Sequence, residues 1–171
     1  GKGSMYEGGV RVPFMVKWNG VVKPDTRNNT SIMIEDLFPT LLHMAQVNDY
    51  KVPQIVDGKD IVPLLEGKNE AEFNKRSIIW NFPNIWGNTG PGINLNCAIR
   101  QGDWKLIYNY ETGEKELYNI PQDIGENNNL AYSNPSKVKE LSSILGKKLR
   151  QMNAQRPIVT ATSKPCAWPD E

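Results

Sequence analysis

The sequence of 171 residues lacks several features that mark particular classes of protein. No apolar run approaches the roughly 18 residues that a membrane-spanning helix needs. Lysine and arginine number 20 against 19 aspartate and glutamate residues, so the formal net charge is only +1. This balance gives no attraction by bulk charge, and we expect neither a nucleic acid nor a membrane as a partner.

Histidine and cysteine, on which many catalytic and metal sites depend, are scarce. The single histidine, His43, argues against a Ser-His-Asp triad or a histidine-rich zinc site within the chain. Cys97 and Cys166 allow either one disulfide or two free thiols, of which we favour the free thiols. Their spacing is not that of a metal site, so the sequence predicts no metal site within the chain.

The composition that is present is typical of a globular protein. Hydrophobic residues make up 39% and charged residues 23% of the chain, which is enough for a core. A chain of this length can hold one domain, or one small domain and part of another. The sequence pattern changes to that of strands after the polar stretch 66–76, which is predicted to be a linker between two layers or subdomains.

In the first half of the chain we predict one strand and one helix. Apolar residues alternate from 10 to 18, which favours a strand that starts late or lies at an irregular edge because of Pro13. Asp36 is a good N-cap, and a helix is predicted over 37–46 with Pro39 in its first turn. The residues expected to face inward are Leu37, Leu41 and Met44 or Ala45.

The second half predicts four strands followed by a helix. The strands are expected at 77–82, around 97–100, at 104–110 and at 115–120, and hairpin-type turns make them antiparallel neighbours. Asn134 and Pro135 begin the last helix. Its one-sided apolar stripe comprises Val138, Leu141, Ile144, Leu145, Leu149 and Met152. The predicted fold class is therefore α+β, a small antiparallel sheet covered by a C-terminal helix.

The most informative segment is residues 2–13, which read K-G-x-x-Y-E-G-G-x-R-x-P. It resembles the segment that sulfatases carry just after their last metal ligands, in which the lysine reaches the sulfate. Three further blocks follow in the order of that family: D-L-x-P-T-L-L-x-x-A within 34–45, A-I-R-x-G-D-W-K-L within 98–107, and E-L-Y-x-L-x-x-D-x-x-E-x-x-N-L-A, closely matched over 116–131. Together the four blocks make a specific match over most of the chain.

The resemblance implies the C-terminal part of a sulfatase of the alkaline-phosphatase-like superfamily. Residues 1–70 would close its large α/β catalytic domain, and residues 71–171 would form its small antiparallel subdomain with a terminal helix. Sulfatases hydrolyse sulfate esters with a formylglycine nucleophile and calcium. Formylglycine is made from the cysteine or serine of a C-x-P-S-R or S-x-P-x-R motif. Neither cysteine of this chain has that context, so we expect the nucleophile and the calcium ligands outside this chain. The missing N-terminal part of the same protein is then an expected partner, and this chain alone is expected to be inactive.

Within this resemblance Lys2 is the candidate catalytic residue. An ammonium group can neutralise a sulfate oxygen and stabilise charge on the leaving-group oxygen. A Glu7–Arg11 ion pair would lock the turn and hold Lys2 in position. Arg100 and Lys105, together with Asp103, are predicted to shape a strand turn and to form surface pairs.

Residues 80–87 form a second candidate site, in which Asn81, Asn84 and Trp86 would bind substrate. Amides beside an indole suit a sugar's hydroxyls and ring face. Many sulfatases carry histidines here, whereas Asn81 and Asn84 offer no group that transfers protons. The alternative interpretation, an edge strand and a loop without function, stays equally open.

Two alternatives to a sulfatase remain at this stage. A phosphoryl or phosphonyl hydrolase could share the scaffold, and a non-catalytic carbohydrate-binding or structural domain could use the segment 80–92 without chemistry. For a sulfatase, the expected substrate is a sulfated small molecule or glycan, and the expected location is periplasmic or secreted.

Overall fold

The computed structural model describes residues 3–47, 49–68, 70–84 and 93–171. These fall into two compact units: residues 13–76, and a sheet unit that combines residues 3–12 with residues 77–171. The helices are α1 Glu7–Val10, α2 Leu37–Met44, α3 Val62–Leu65, α4 Glu70–Asn74 and α5 Pro135–Gln151. The strands are β1 Ser77–Phe82, β2 Asn96–Gln101, β3 Trp104–Asn109, β4 Lys115–Asn119, β5 Ile158–Val159 and β6 Lys164–Pro165.

The sheet unit confirms the predicted fold class, with all four predicted strands in one antiparallel sheet of order β1-β2-β3-β4. The register places Ile79 opposite Ile99, Ile99 opposite Leu106, and Leu106 opposite Leu117. Because side chains alternate across a strand, these residues share one face of the sheet. A separate pair, β5 and β6, forms a two-stranded antiparallel ribbon.

The α5 helix covers that face, as its apolar stripe predicts. Leu141, Leu145 and Leu149 are at most 1% exposed and pack with the sheet residues in one core. Met152, the last residue of the predicted stripe, is 61% exposed and lies just beyond the helix. Burial of these leucines is what holds α5 to the sheet, since each contributes roughly 1.5–3 kcal/mol.

The opposite face of the sheet packs on the N-terminal segment. Met5 forms a core cluster with residues of β2, β3 and β4, with Tyr6 packed against it; the sheet residues in this cluster are Ala98, Ile107 and Tyr118. The four-stranded sheet is therefore covered on both faces, by α5 on one and by residues 3–10 on the other.

The 13–76 unit has a small apolar core and a charged centre. Ile61 and Leu64 pack with Phe73, so the predicted linker 66–76 contributes a core residue. The assignment of residues 1–70 and 71–171 to two domains stays a prediction. Within the 13–76 unit Gly58 passes so close to the backbone of Glu35 that a side-chain methyl there would overlap its carbonyl oxygen.

The structure corrects the predictions made for residues 10–18 and for the Asp36 side chain. Residues 11–18 form no strand, because no strand among the described residues pairs with them, and Val12 and Met15 are 77% and 89% exposed. Asp36 is the N-cap residue of α2, as predicted, but its side chain makes no capping hydrogen bond to that helix. Its carboxylate instead accepts hydrogen bonds from the backbone N–H groups of Met33 (2.7 Å) and Lys59 (2.8 Å).

The helix α2 forms where predicted and ends two residues earlier than expected, at Met44. Leu37 and Met44 are half-buried, but Leu41 is 59% exposed, which corrects the prediction that it faces inward. Thr40 is the buried, inward-facing residue of α2. Its hydroxyl donates to the Asp36 carbonyl oxygen at 2.5 Å and accepts the N–H of Ile61 at 3.0 Å, so a polar contact fixes the helix orientation.

No helix in the described part of the chain is both long enough and apolar enough to cross a membrane.

Candidate functional site

The segment that follows Lys2 is held in a defined path across the sheet, although Lys2 itself lies outside the described residues. Gly3 has a φ of 90°, a backbone conformation that favours glycine. Ser4 and Met5 are buried, and the Ser4 hydroxyl accepts the backbone N–H of Tyr6 at 3.1 Å. A single helical turn, α1, follows and contains both glycines of the Glu-Gly-Gly motif.

Glu7 is the buried anchor of this segment. Its side chain is 4% exposed, and its two carboxylate oxygens contact cations from two different strands. Lys105 Nζ lies 3.0 Å from Oε1, and Arg100 Nη1 lies 3.2 Å from Oε2. Arg11, the partner predicted from sequence, lies farther away at 3.7 Å and is 48% exposed. The tighter contacts of Glu7 therefore come from the sheet rather than from its own turn.

Glu126 completes this arrangement from the loop after β4. One of its oxygens lies 2.9 Å from Lys105 Nζ, and the other accepts the backbone N–H of Glu7 at 2.5 Å. We refer to Glu7, Arg100, Lys105 and Glu126 as the buried ion-pair network. Burial raises the pKa of Glu126 above its ordinary value, and Lys105 opposes that rise.

Lys105 corrects the prediction of a surface pair, because its side chain is fully buried. Besides its two carboxylate partners, its ammonium lies 5.6 Å from the centre of the Trp80 ring. Arg100 matches the expectation in part, since its Nε donates to the carbonyl oxygen of Gly102 at 3.3 Å. Both cations nevertheless have a common function in the structure, which is to hold Glu7.

A second polar contact ties Tyr6 to β4. The hydroxyls of Tyr6 and Tyr118 both donate to Glu116 Oε2, each at 2.7 Å, and the two rings meet edge to face. Burial, followed by the hydrogen bond to Glu116, raises the pKa of both phenols above their ordinary value. Both hydroxyls therefore stay protonated at neutral pH and act as donors.

The second predicted site is described only in part, because Trp86 lies outside the described residues. Asn81 is in β1, where its amide donates to the carbonyl oxygen of Gln155 at 3.0 Å and accepts the Tyr110 hydroxyl at 2.8 Å. These contacts tie β1 to the chain that follows α5 and to the residue that follows β3. Asn84 lies just after β1 and is exposed. The substrate-binding roles of Asn81, Asn84 and Trp86, like the catalytic role of Lys2, stay predictions.

The cysteines are both buried and free, as favoured from the sequence. Burial raises the pKa of the Cys97 thiol to about 12, so it has little nucleophilic character near neutral pH. Within residues 3–47, 49–68, 70–84 and 93–171, no group of three or more histidine, cysteine, aspartate or glutamate side chains could hold a metal ion.

The sequence did not predict that Arg100, Lys105 and Glu126 bind Glu7, because no local pattern pairs residues so far apart in the chain. One signal was available: strict alternation in β3 places Lys105 on the same face as Ile107, which is a buried position. A lysine at such a position needs a carboxylate partner. Nothing local identifies Glu126 or Glu7 as that partner, since they lie far from Lys105 in the sequence.

Comparisons with known proteins cover most of the chain. Residues 1–155 match the family model described as N-sulphoglucosamine sulphohydrolase, C-terminal. A protein named sulfatase from Formosa agariphila is 35% identical over 158 residues, which is 87% of this chain and 28% of that protein. An N-acetylgalactosamine-6-O-sulfatase from Bacteroides thetaiotaomicron is 30% identical over 161 residues, or 85% of this chain and 28% of that protein.

One solved structure, in complex with its substrate D-glucosamine-2-N,6-O-disulfate, is 28% identical with a TM-score of 0.53. The similarity covers 69% of this chain and 24% of that one. The chain thus spans about a quarter of the length of these proteins.

Proposed function

This chain belongs to the sulfatase family whose C-terminal region the N-sulphoglucosamine sulphohydrolase model describes, and from that premise we propose that it forms part of an enzyme that hydrolyses sulfate esters. The observation that carries the proposal is the buried anchoring of the segment after Lys2. The described part of the motif is anchored at Glu7, which is bound through both carboxylate oxygens and its backbone N–H.

The proposed role of Lys2 is electrostatic. Its ammonium would neutralise the sulfate oxygens and the charge that develops on the departing oxygen as the ester bond breaks. Such a cation stabilises the transition state more than the ground state, so its effect falls on kcat. Lys2 is the only residue of this chain to which we assign contact with the reacting atoms.

Formylglycine and calcium are proposed to act in the full-length protein. They would supply the nucleophile and the neutralising divalent charge for sulfate transfer. By analogy with the family we propose that the calcium ligands lie outside this chain; the described residues offer no cluster of ligands that fits the ion, and we derive no step through it.

For the substrate we propose a sulfated carbohydrate. The support is indirect: one related structure holds a disulfated glucosamine, and one relative is named for the sulfate ester of an amino sugar. Asn81, Asn84 and Trp86 would contribute by contacting the sugar rather than the sulfate. By analogy with the family, we propose a periplasmic or secreted location.

The test is sulfate release by the full-length protein that carries this chain, with Lys2→Ala and Lys2→Arg as variants. Lys2→Ala should lower kcat by about 10²–10³-fold, and arginine should not restore it because its planar fork cannot replace a compact ammonium. Lys17→Ala is the matched control, since Lys17 is exposed. Near-normal turnover in Lys2→Ala would remove Lys2 from the mechanism, and faster release of phosphate than of sulfate would favour a phosphoryl hydrolase.

A further inference from the structure

The backbone that follows Lys2 is fixed at one residue from three directions. Glu7 Oε1 contacts Lys105 on β3, Oε2 contacts Arg100 on β2, and the Glu7 N–H donates to Glu126 in the loop after β4. Three contacts from three separate elements define both the position and the orientation of this residue. Lys105 also joins the two carboxylates, since it lies 3.0 Å from Glu7 and 2.9 Å from Glu126.

A charged network is an unusual means of attaching a segment that already has an apolar contact. Met5 and Tyr6 pack on the same face of the sheet, and apolar contacts alone could bury that face. Replacing buried ion pairs by apolar groups is often neutral or stabilising, so stability does not explain the charges. Directional charge-assisted hydrogen bonds do fix one geometry where apolar contacts permit sliding.

Resting on the proposed function, we propose that the buried ion-pair network is a positioning device for the sulfate-contacting lysine. We assign contact with the substrate to none of Glu7, Arg100, Lys105 and Glu126. They hold the segment that begins immediately after Lys2 in a single register on the sheet. The network should affect the reaction of any sulfate ester, because Lys2 is assigned to the sulfate group and not to the sugar.

The opposite face of the sheet provides an internal control that distinguishes a positioning role from a general structural role. The α5 helix and the core around Leu106 and Leu145 lie on that face, in an apolar cluster separate from the one that contains Met5. Weakening the network should therefore release residues 7–11 while the α5 face stays folded.

The first experiment uses this chain as it exists. Glu126→Gln keeps the shape of the side chain and an oxygen that can accept the Glu7 N–H, but it removes the charge that faces Lys105. Hydrogen exchange at residues 7–11 should accelerate by about tenfold or more, the weight of one hydrogen bond to a charged group. Amides of Leu145 and Leu149 in α5 should keep the wild-type rate. Glu111→Gln, an exposed glutamate of the same unit, is the control.

The second experiment measures sulfate release by the full-length protein with the same variants. A displacement of about 1 Å can cost about 10²-fold in rate, so Glu126→Gln and Glu7→Gln should lower kcat by about 10- to 10²-fold while KM changes little. Arg100→Lys retains the charge and should retain more of kcat than Arg100→Met. Glu111→Gln should match the wild type.

The outcomes separate the two proposals. If the wild-type protein releases no sulfate, the proposed function fails, while hydrogen exchange still decides whether the network holds the segment. If the wild type is active and the segment is released without loss of kcat, the positioning role is wrong. Equal acceleration of exchange in residues 7–11 and α5, or no acceleration in either, would also overturn it.

Discussion

The sheet unit and the 13–76 unit are organised around different kinds of centre. In the sheet unit two apolar clusters, one on each face of the sheet, surround buried strands, and the ion-pair network is added to one face. In the 13–76 unit the apolar core is small, and a single carboxylate connects the elements. Asp36 accepts hydrogen bonds from the two terminal guanidinium nitrogens of Arg76, at 2.8 and 2.6 Å, and from two backbone N–H groups.

The two units also differ in how much apolar surface they expose. Large apolar side chains are exposed over much of the 13–76 unit; they include Phe14, Met15, Ile34, Phe38, Leu41, Val47, Tyr50, Val52 and Ile55. The 13–76 unit therefore depends on directional polar bonds where the sheet unit depends on apolar burial. The comparison teaches that a buried charge can have two different uses: organising a segment with little core, or fixing a register where the core already exists.

The largest expected effect comes from removing the charged centre of the 13–76 unit. Asp36→Asn leaves the Arg76 guanidinium, which is 11% exposed, without its counter-charge. Breaking a buried pair in this way costs about 3–5 kcal/mol. Denaturant unfolding combined with hydrogen exchange should show the loss within residues 13–76. Glu35→Gln, at an exposed neighbouring position, is the control. A loss below about 1 kcal/mol would show that apolar contacts suffice there.

The matching change in the sheet unit is Leu145→Ala. Leu145 is fully buried in the core beneath α5, and deleting a buried leucine costs about 2–5 kcal/mol. Thermal unfolding should report this loss, whereas Lys147→Ala, on the exposed side of the same helix, should leave the midpoint almost unchanged. Equal shifts for both variants would contradict the docking of α5.

The pH dependence of stability in the 13–76 unit should follow the Asp36 carboxyl group. Burial alone would raise the pKa of Asp36, but its bonds to Arg76 and to the backbone outweigh burial and hold the pKa below its ordinary value. Its contribution to stability is thus complete above the unfolded value of about 3.9 and is lost as pH falls through the lower folded value. The difference in unfolding free energy between wild type and Asp36→Asn should shrink over that range. A constant difference from pH 7 to pH 2 would argue against this pair.

The smallest effect is expected for Leu41→Ala. Leu41 has the residue type of a core position, yet it is 59% exposed, and exposed substitutions are usually within about 0.5 kcal/mol. Chemical unfolding of this chain beside Leu141→Ala, at a residue that is 1% exposed, compares the same substitution in the two units. A cost above about 2 kcal/mol for Leu41→Ala would place it in a core after all.

The sequence alone predicted the elements whose signals are local. Hairpin turns and period-two alternation gave the four strands, and an apolar stripe gave α5, because both patterns report the face that each element buries. The four motif blocks gave the family, since their order and spacing are specific even where each block alone is weak. The same local signals predicted a strand over 10–18, where the structure has none, because alternation cannot show whether a pairing strand exists.

Only the tertiary structure decided the partners of the buried charges. Glu7 and Lys105 are 98 positions apart, Glu7 and Glu126 are 119 apart, and Asp36 and Arg76 are 40 apart. Periodicity shows that Lys105 faces inward, and capping preferences suggest a role for Asp36 at a helix start. Ion pairing depends on how close two segments lie in space. Neither periodicity nor capping preference predicts that distance for segments that are remote in sequence. The sequence shows which residues are charged, but their pairing is defined only once folding brings the remote segments together.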